Sequence, residues 1–507
     1  MRRRRRTSGR GPERVHGRIH GRVHGRVHDR VHGRVHDRVH GRVHGRVYGY
    51  GLALALLLTA CTGGGQAGPG PGATVSPGAS GDIVVASGRD VTGKGGIRQQ
   101  LIDAWNARQD REHSDVHARL VELPGSADQQ RSQLLGALQS GSAQYDVVNL
   151  DVTWVPEFAA AHLIRPLPDD LVDADVIKSV ASTARWGGKL YAVPFNSDVG
   201  LLYYRRDHLK QAHVQDTDLS KGITWRQLRD LIDAVEAPGR SRPKGYEKGW
   251  TTQLGPYEGR TVNGIEAFLS ATDGAGLTDE SGRYTATVQQ LTDGIAELRA
   301  RTQGAYTLGD AVRSDEGESL TDFADGRTAF LRHWPYAYRT LHQSLSDAQL
   351  GVAPLPGRAV LGGQNLALAG SSQRVDKARE LIRFLTSKES ERCLLDAGFA
   401  ATRETAYTAD DVTCGVARTP GAASPSASPS GESADRMPRD DHGRPAYART
   451  ILLPALRRAV QRPRTPLYGA FTQTFATELG RLFSDDPPGD AELAAALDKE
   501  LRKALPG

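Results

Sequence analysis

The 507-residue chain is long enough for more than one domain, and its formal charge of +6 is not spread over the whole of it. Residues 1–48 carry fifteen Arg against Glu13, Asp29 and Asp37, a net +12, so the remainder stands at −6. A basic balance points to nucleic acid or an anionic membrane. Here that signal belongs to the leader alone, and the globular part is read as having no nucleic-acid partner.

The leader is a four-residue repeat, Arg-(Val/Ile)-His-(Gly/Asp), with histidines every four residues from His16 to His44. Its regularity invites a metal-binding reading. The residues downstream of the repeat argue against one. Leu52 to Leu58 form an apolar core far too short to span a bilayer, placed after Arg-rich sequence and before small residues. That is the layout of a secretory signal. Leu58-Thr59-Ala60-Cys61 resembles the bacterial lipobox, in which the Cys thiol takes a diacylglycerol and the peptide is cut just before it. Residues 1–60 are therefore expected to be removed, with Cys61 as the lipid anchor. Residues 61–81, rich in Gly, Pro, Ser and Ala, read as a flexible tether. Of the three cysteines, Cys393 and Cys414 remain; in an exported protein they are expected to pair. No His stands at metal-ligand spacing from them.

Ordered structure is predicted from Asp82. "DIVVAS" (82–87) reads as a buried strand, and 96–108 as a helix with Ile97, Leu101, Ile102 and Trp105 on one face. "HARLVEL" (117–123) reads as a second strand. The stretch 126–141 opens with Ser126 and Gln129 at capping-box spacing, and "YDVVNL" (145–150) is a third strand. This β-α-β-α-β order predicts a parallel sheet covered by helices. Ligands bind such sheets beyond the carboxyl ends of the strands. Arg89 and Asp90 fall there after the first strand, and Asp151 after the third. Pro156 is placed to start a helix.

Leu190–Val193 and Gly200–Tyr204 read as strands separated by an irregular Pro194–Asp198. Strands are predicted again at 350–356 and 365–370, and an amphipathic helix at 375–387. Residues 418–440 form a low-complexity stretch read as a disordered surface insert. Two apolar stripes close the chain: Tyr468, Phe471, Phe475, Leu479 and Leu482, then Leu493, Leu497, Leu501 and Leu505 with a cap at Asp490. Both read as core.

"YDVVNLDVTWVPEFAAAHLIRPL", "GGKLYAVPFNSDVGLLYYRRD", "LRHWPYAYR", "APLPGRAVLGGQNLALAGSS" and "RPRTPLYGAFTQTF" together closely resemble the extracellular solute-binding proteins of ABC-type sugar importers. The likeness is greatest to the actinobacterial trehalose/maltose-binding lipoproteins. It implies an α/β fold of the periplasmic-binding-protein type II class, two lobes around a ligand cleft joined by several crossovers and closing by hinge bending. On that template residues 82–197 and 358–400 form one lobe, and 198–357 and 401–507 the other. It implies an oligosaccharide ligand and a permease partner. It implies no enzymatic chemistry and no cofactor or metal. A monomer on the outer face of a Gram-positive cell membrane is expected.

A sugar offers fans of hydroxyls, which suit carboxylates and amides, and apolar ring faces, which suit aromatics. Asp151 matches the family's sugar-binding acid in its "D-x-x-W" stretch; helix capping before Pro156 is the competing role, which the spacing does not favour. Asp198 and Asn196 match the crossover "PF-x-x-D-x-GLLYYR", against turn chemistry that the same residues favour. Trp334 matches the sugar-stacking tryptophan, against a core role. Tyr257, Glu258, Arg89 and Asp90 fall at cleft positions. Gly363 matches the second glycine of the family's Gly-Gly-Trp-Asn, but Gln364 replaces its tryptophan, trading a stacking plate for an amide. Arg403 matches a Thr-Arg near the last crossover, as a hydroxyl clamp, as a partner for a cleft acid, or as a surface ion pair. The competing class is an exported glycoside hydrolase using Asp151 and Asp198, for which no hydrolase motif is present. Gln364 leaves open a receptor for a solute other than a disaccharide.

Overall fold

The computed structural model describes residues 81–89, 96–416 and 435–505. The repeat, Cys61, Asp90 and residues 418–434 of the expected insert lie outside the described residues.

The amino-terminal half builds one sheet. Strand β1 (Ile83–Gly88) pairs in parallel with β2 (Ala118–Leu123) and with β3 (Val147–Asp151). Helix α1 (Ile97–Arg111) buries Ile97, Leu101, Ile102 and Trp105 against it. Helix α2 (Ala127–Gln139) opens with the Ser126–Gln129 capping box, which satisfies two N-terminal N–H groups. Helix α3 (Val155–Ala160) takes Pro156 in its first turn. A short hairpin of β4 (Arg185–Trp186) and β5 (Lys189–Leu190) then leads into β6 (Ala192–Val199).

Strand β6 corrects the sequence reading: Pro194–Asp198 is not an irregular link but the strand itself. Proline is tolerated because β6 is the edge of its sheet and because the register shifts opposite Gln364 and Asn365. After Gly200 the chain enters a second sheet with β7 (Leu201–Arg205), joined by β8 (Lys248–Thr251), β9 (Thr328–His333) and β10 (Leu350–Pro354). It returns to the first sheet as β11 (Leu361–Leu368), antiparallel to both β3 and β6. The orders are β2-β1-β3-β11-β6 and β10-β7-β9-β8. Strand β11 begins four residues earlier than predicted, so Gly362, Gly363 and Gln364 are strand residues.

Gly200 marks the step between sheets. A Cβ there would lie 2.4 Å from a Glu266 carboxylate oxygen and 3.0 Å from an Arg332 nitrogen. The backbone must pass this close because Glu266 and Arg332 form a bidentate pair, 2.7 and 3.1 Å, almost wholly buried beneath it. The returning chain is laced to a later stretch: the Leu361 N–H donates to the Val460 carbonyl (2.8 Å) and the Val460 N–H to that of Ala359 (3.0 Å).

Both carboxyl-terminal stripes are buried, as core, on helices Tyr468–Gly480 and Asp490–Ala504, with Leu482 just past the first. They pack on helices Glu258–Ala271 and Val288–Arg301. Gly489, not Asp490, is the capping position; Asp490 is the first helical residue and places its charge in the first turn. The expected insert also ends sooner than residue 440. Met437 is buried in the core beside the second sheet, and Arg439 donates to the Asp396 carbonyl and to Asp435. Cys393 and Cys414 are joined in a disulfide.

Candidate functional site

Strands β3, β11 and β6 lie side by side, and their register does the assembling. Gln364 of β11 stands opposite Asp151 on one side and Asn196 on the other. Gly362 stands opposite Asp198, and Gly363 opposite Ser197. Five of the predicted ligand residues thus share one end of one sheet. Gly363 has φ +104°, and a Cβ on it would lie 2.3 Å from the Asn196 carbonyl oxygen. Only glycine permits that approach, so this position is fixed by backbone contact between strands.

Trp334 joins the group from the second sheet. A Cβ on Gly362 would lie 3.1 Å from Asp198 Cβ and 3.2 Å from the Trp334 ring, so the missing side chain lets acid and indole approach one another. One face of the indole is covered by the Arg332 guanidinium, 3.8 Å from the ring centroid. Its Nε1–H donates to Glu316 (3.2 Å), whose other oxygen accepts from the Tyr257 hydroxyl (2.7 Å). Glu316 therefore sets the orientation of both aromatic residues.

Arg462 ties the two remaining acids. It donates to both oxygens of Asp151, at 2.9 and 3.2 Å, and to Glu258 at 2.6 Å. Glu258 also accepts from Tyr468 and from Thr472 Oγ1 (2.7 Å). Burial pushes the Glu258 carboxyl up, with Arg462 pulling the other way. Asp151 additionally accepts from the N–H and hydroxyl of Thr153. That local turn is the nearest it comes to a capping role. Tyr257 and Glu258 also line a cavity of about 340 Å³ with Asp128, Arg131 and Thr472. A cavity of about 530 Å³ lies elsewhere, between α1 and helices Val375–Leu385 and Lys388–Asp396, and holds none of these residues.

The polar atoms left over define what the cluster can do. Asp198 Oδ1, Asn196 Nδ2 and Ser197 Oγ are buried with no hydrogen-bond partner among the described residues. Such atoms are rare and costly in a folded interior unless something else completes them. Burial raises the Asp198 carboxyl to about 7; the nearby Arg98 charge lowers it and Asp151 raises it further.

Two predicted residues are not brought in. Arg89 is exposed past the end of β1. Arg403 is buried but committed elsewhere, to Asp173 (2.8 and 2.9 Å), Asp175 and the Thr386 carbonyl. Of its three candidate roles, ion pairing is the one it fills, and it braces the chain outside the cluster. Three residues that the sequence reading does not single out are central: Arg98, Glu316 and Arg462. Arg462 lies in a motif that carries the family resemblance, but its partner Asp151 is 311 residues away.

A family model for bacterial extracellular solute-binding proteins matches residues 90–392. The chain belongs to that family. A probable ABC transporter-binding protein of Deinococcus radiodurans is 29% identical over 323 residues, 61% of this chain and 73% of that one. The maltose-bound MalE3 of T. maritima superimposes with a TM-score of 0.64 at 22% identity, covering 84% of this chain and 100% of that one. UgpB of Mycobacterium tuberculosis in complex with glycerophosphocholine does so with a TM-score of 0.63 at 20% identity, covering 84% and 99%. The fold is therefore the two-lobed type II solute-binding fold, and the chain is an extracellular solute-binding protein.

Proposed function

We propose that this solute-binding protein captures an oligosaccharide, an α-linked glucose disaccharide such as maltose or trehalose, and hands it to its permease. The observation that carries the reading is the set of buried, unpartnered polar atoms on β6, Asp198 Oδ1 and Asn196 Nδ2, beside the Asp151 carboxylate and Trp334. A sugar hydroxyl donates to a carboxylate and accepts from an amide, so one class of ligand completes all of these atoms. The half-buried Trp334 ring is of the kind that suits a pyranose face. The maltose-bound MalE3 supports the same choice.

Isothermal titration over a panel of maltose, trehalose, longer maltodextrins and glycerophosphocholine tests the reading. A sugar bound in the micromolar range is expected. No sugar tighter than millimolar overturns it, and preference for glycerophosphocholine moves the ligand to the class bound by UgpB. The lipid anchor at Cys61 is part of the proposal: it holds the receptor at the outer face of the cell membrane, near its permease. The expected mature mass begins at a diacylated Cys61, and a mature protein retaining residues 1–60 overturns the anchor.

A further inference from the structure

Arg98, at the start of α1, reaches across the carboxyl ends of the first sheet. One nitrogen donates to Ser87 Oγ (3.1 Å) and to the Gly88 carbonyl (3.0 Å). The other donates to Asn196 Oδ1 (3.2 Å) and to Gln364 Oε1 (2.9 Å). Asn149 Nδ2 donates to the same Ser87 hydroxyl (3.0 Å), which fixes the inner side of this arrangement. The Phe399 ring lies 5.3 Å from the guanidinium carbon.

Arginine has five N–H donors and no acceptor. An amide that meets it must present oxygen. Asn196 and Gln364, neighbours across β6 and β11, therefore both present their oxygens to one guanidinium, which leaves their nitrogens turned away from it. Asn196 Nδ2 is the buried atom left without a partner by this turn.

We infer that Arg98 is a positioning residue that locks the Asn196 and Gln364 amides with their N–H groups toward the ligand. The inference rests on reading the cluster as a ligand site. It adds a chemical demand: beside the acceptors Asp151 and Asp198, the site offers a paired amide donor. The ligand must bring acceptor oxygens to that edge, of the kind a ring or bridging oxygen supplies. Gln364 then supplies half of this donor pair.

The test uses the full chain and substitutions that separate position from structure. Asn196→Asp and Gln364→Glu keep an oxygen for Arg98 and remove the outward N–H. Each is expected to unfold no earlier than the parent and to bind the best sugar of the panel about tenfold more weakly. Undiminished binding in both overturns the inference. A second arm needs no ligand. The side-chain NH2 signals of Asn196 and Gln364 in a 15N spectrum of the sugar-free chain are identified by their loss in those two variants. Arg98→Met is expected to move both signals. If they stay in place, the inference fails even where sugars bind. If they move but no sugar binds, the orientation stands and the sugar reading falls.

Discussion

Two buried charged regions lie close together and are finished differently. Glu266 and Arg332 meet in a bidentate pair beneath Gly200, and both are almost wholly buried. A few residues along β6, Asp198 and Asn196 present buried atoms that no group among the described residues satisfies. In the first region every charge has its match within the chain. In the second the chain stops short. On the proposed function, the difference separates scaffold from ligand site: a completed pair holds the sheets at their junction, while the incomplete one is left for a ligand to finish.

Breaking the completed pair is expected to have the largest effect. Glu266→Gln leaves Arg332 buried without its carboxylate and costs about 3–5 kcal/mol, to be read by chemical denaturation. A loss below about 1 kcal/mol would erase the distinction between the regions. The incompleted region responds in the opposite sense. Asp198→Ala removes a buried atom that nothing satisfies, so stability is expected to hold. Affinity for the bound sugar falls by about 1.5–3 kcal/mol, read by titration calorimetry. Unchanged affinity places Asp198 outside the site.

Gly363→Ala tests the strand contact that aligns this region. It forces a side chain into positive φ and against the Asn196 carbonyl. A loss of about 1–3 kcal/mol is expected, with binding weakened because Asn196 shifts. The smallest effect is on pH dependence. The Asp198 carboxyl stands at about 7 in the fold against 3.8 ordinarily. A raised acid contributes its stability below about pH 4 and loses it as pH rises toward about 7. Buried Glu391, raised to about 8, acts in the same direction. His208 and His333, lowered to about 4 by burial, act oppositely, losing stability as pH falls below 6.5. The Asp198 share is isolated by subtracting an Asp198→Asn curve: the parent is expected to lose relative stability between about pH 4 and 7, and parallel curves would refute it.

The same contrast explains what is legible in the sequence. The β1-α1-β2-α2-β3 run is readable because its signals are local: apolar period, capping box and short connections. Strand β6 is hidden because Pro194, Asn196, Ser197 and Asp198 have turn chemistry locally. Only the edge position and the register shift, both tertiary, make them a strand. Asp151, Asp198 and Trp334 are reached through motifs. Arg98 and Glu316 lie in none, and Arg462 lies in one that does not single it out, because each acts by joining residues distant in the chain, and no spacing records such a junction. Arg403 shows the converse: it sits in a matching motif, yet Asp173 and Asp175 take its charge.

The lacing of Ala359–Leu361 to Val460 carries a mechanical consequence. Two passages of chain bound to each other behave as one ribbon, stiff to shear and free to twist. A strain applied to one passage is therefore shared by the other, and the two respond as a unit where they meet.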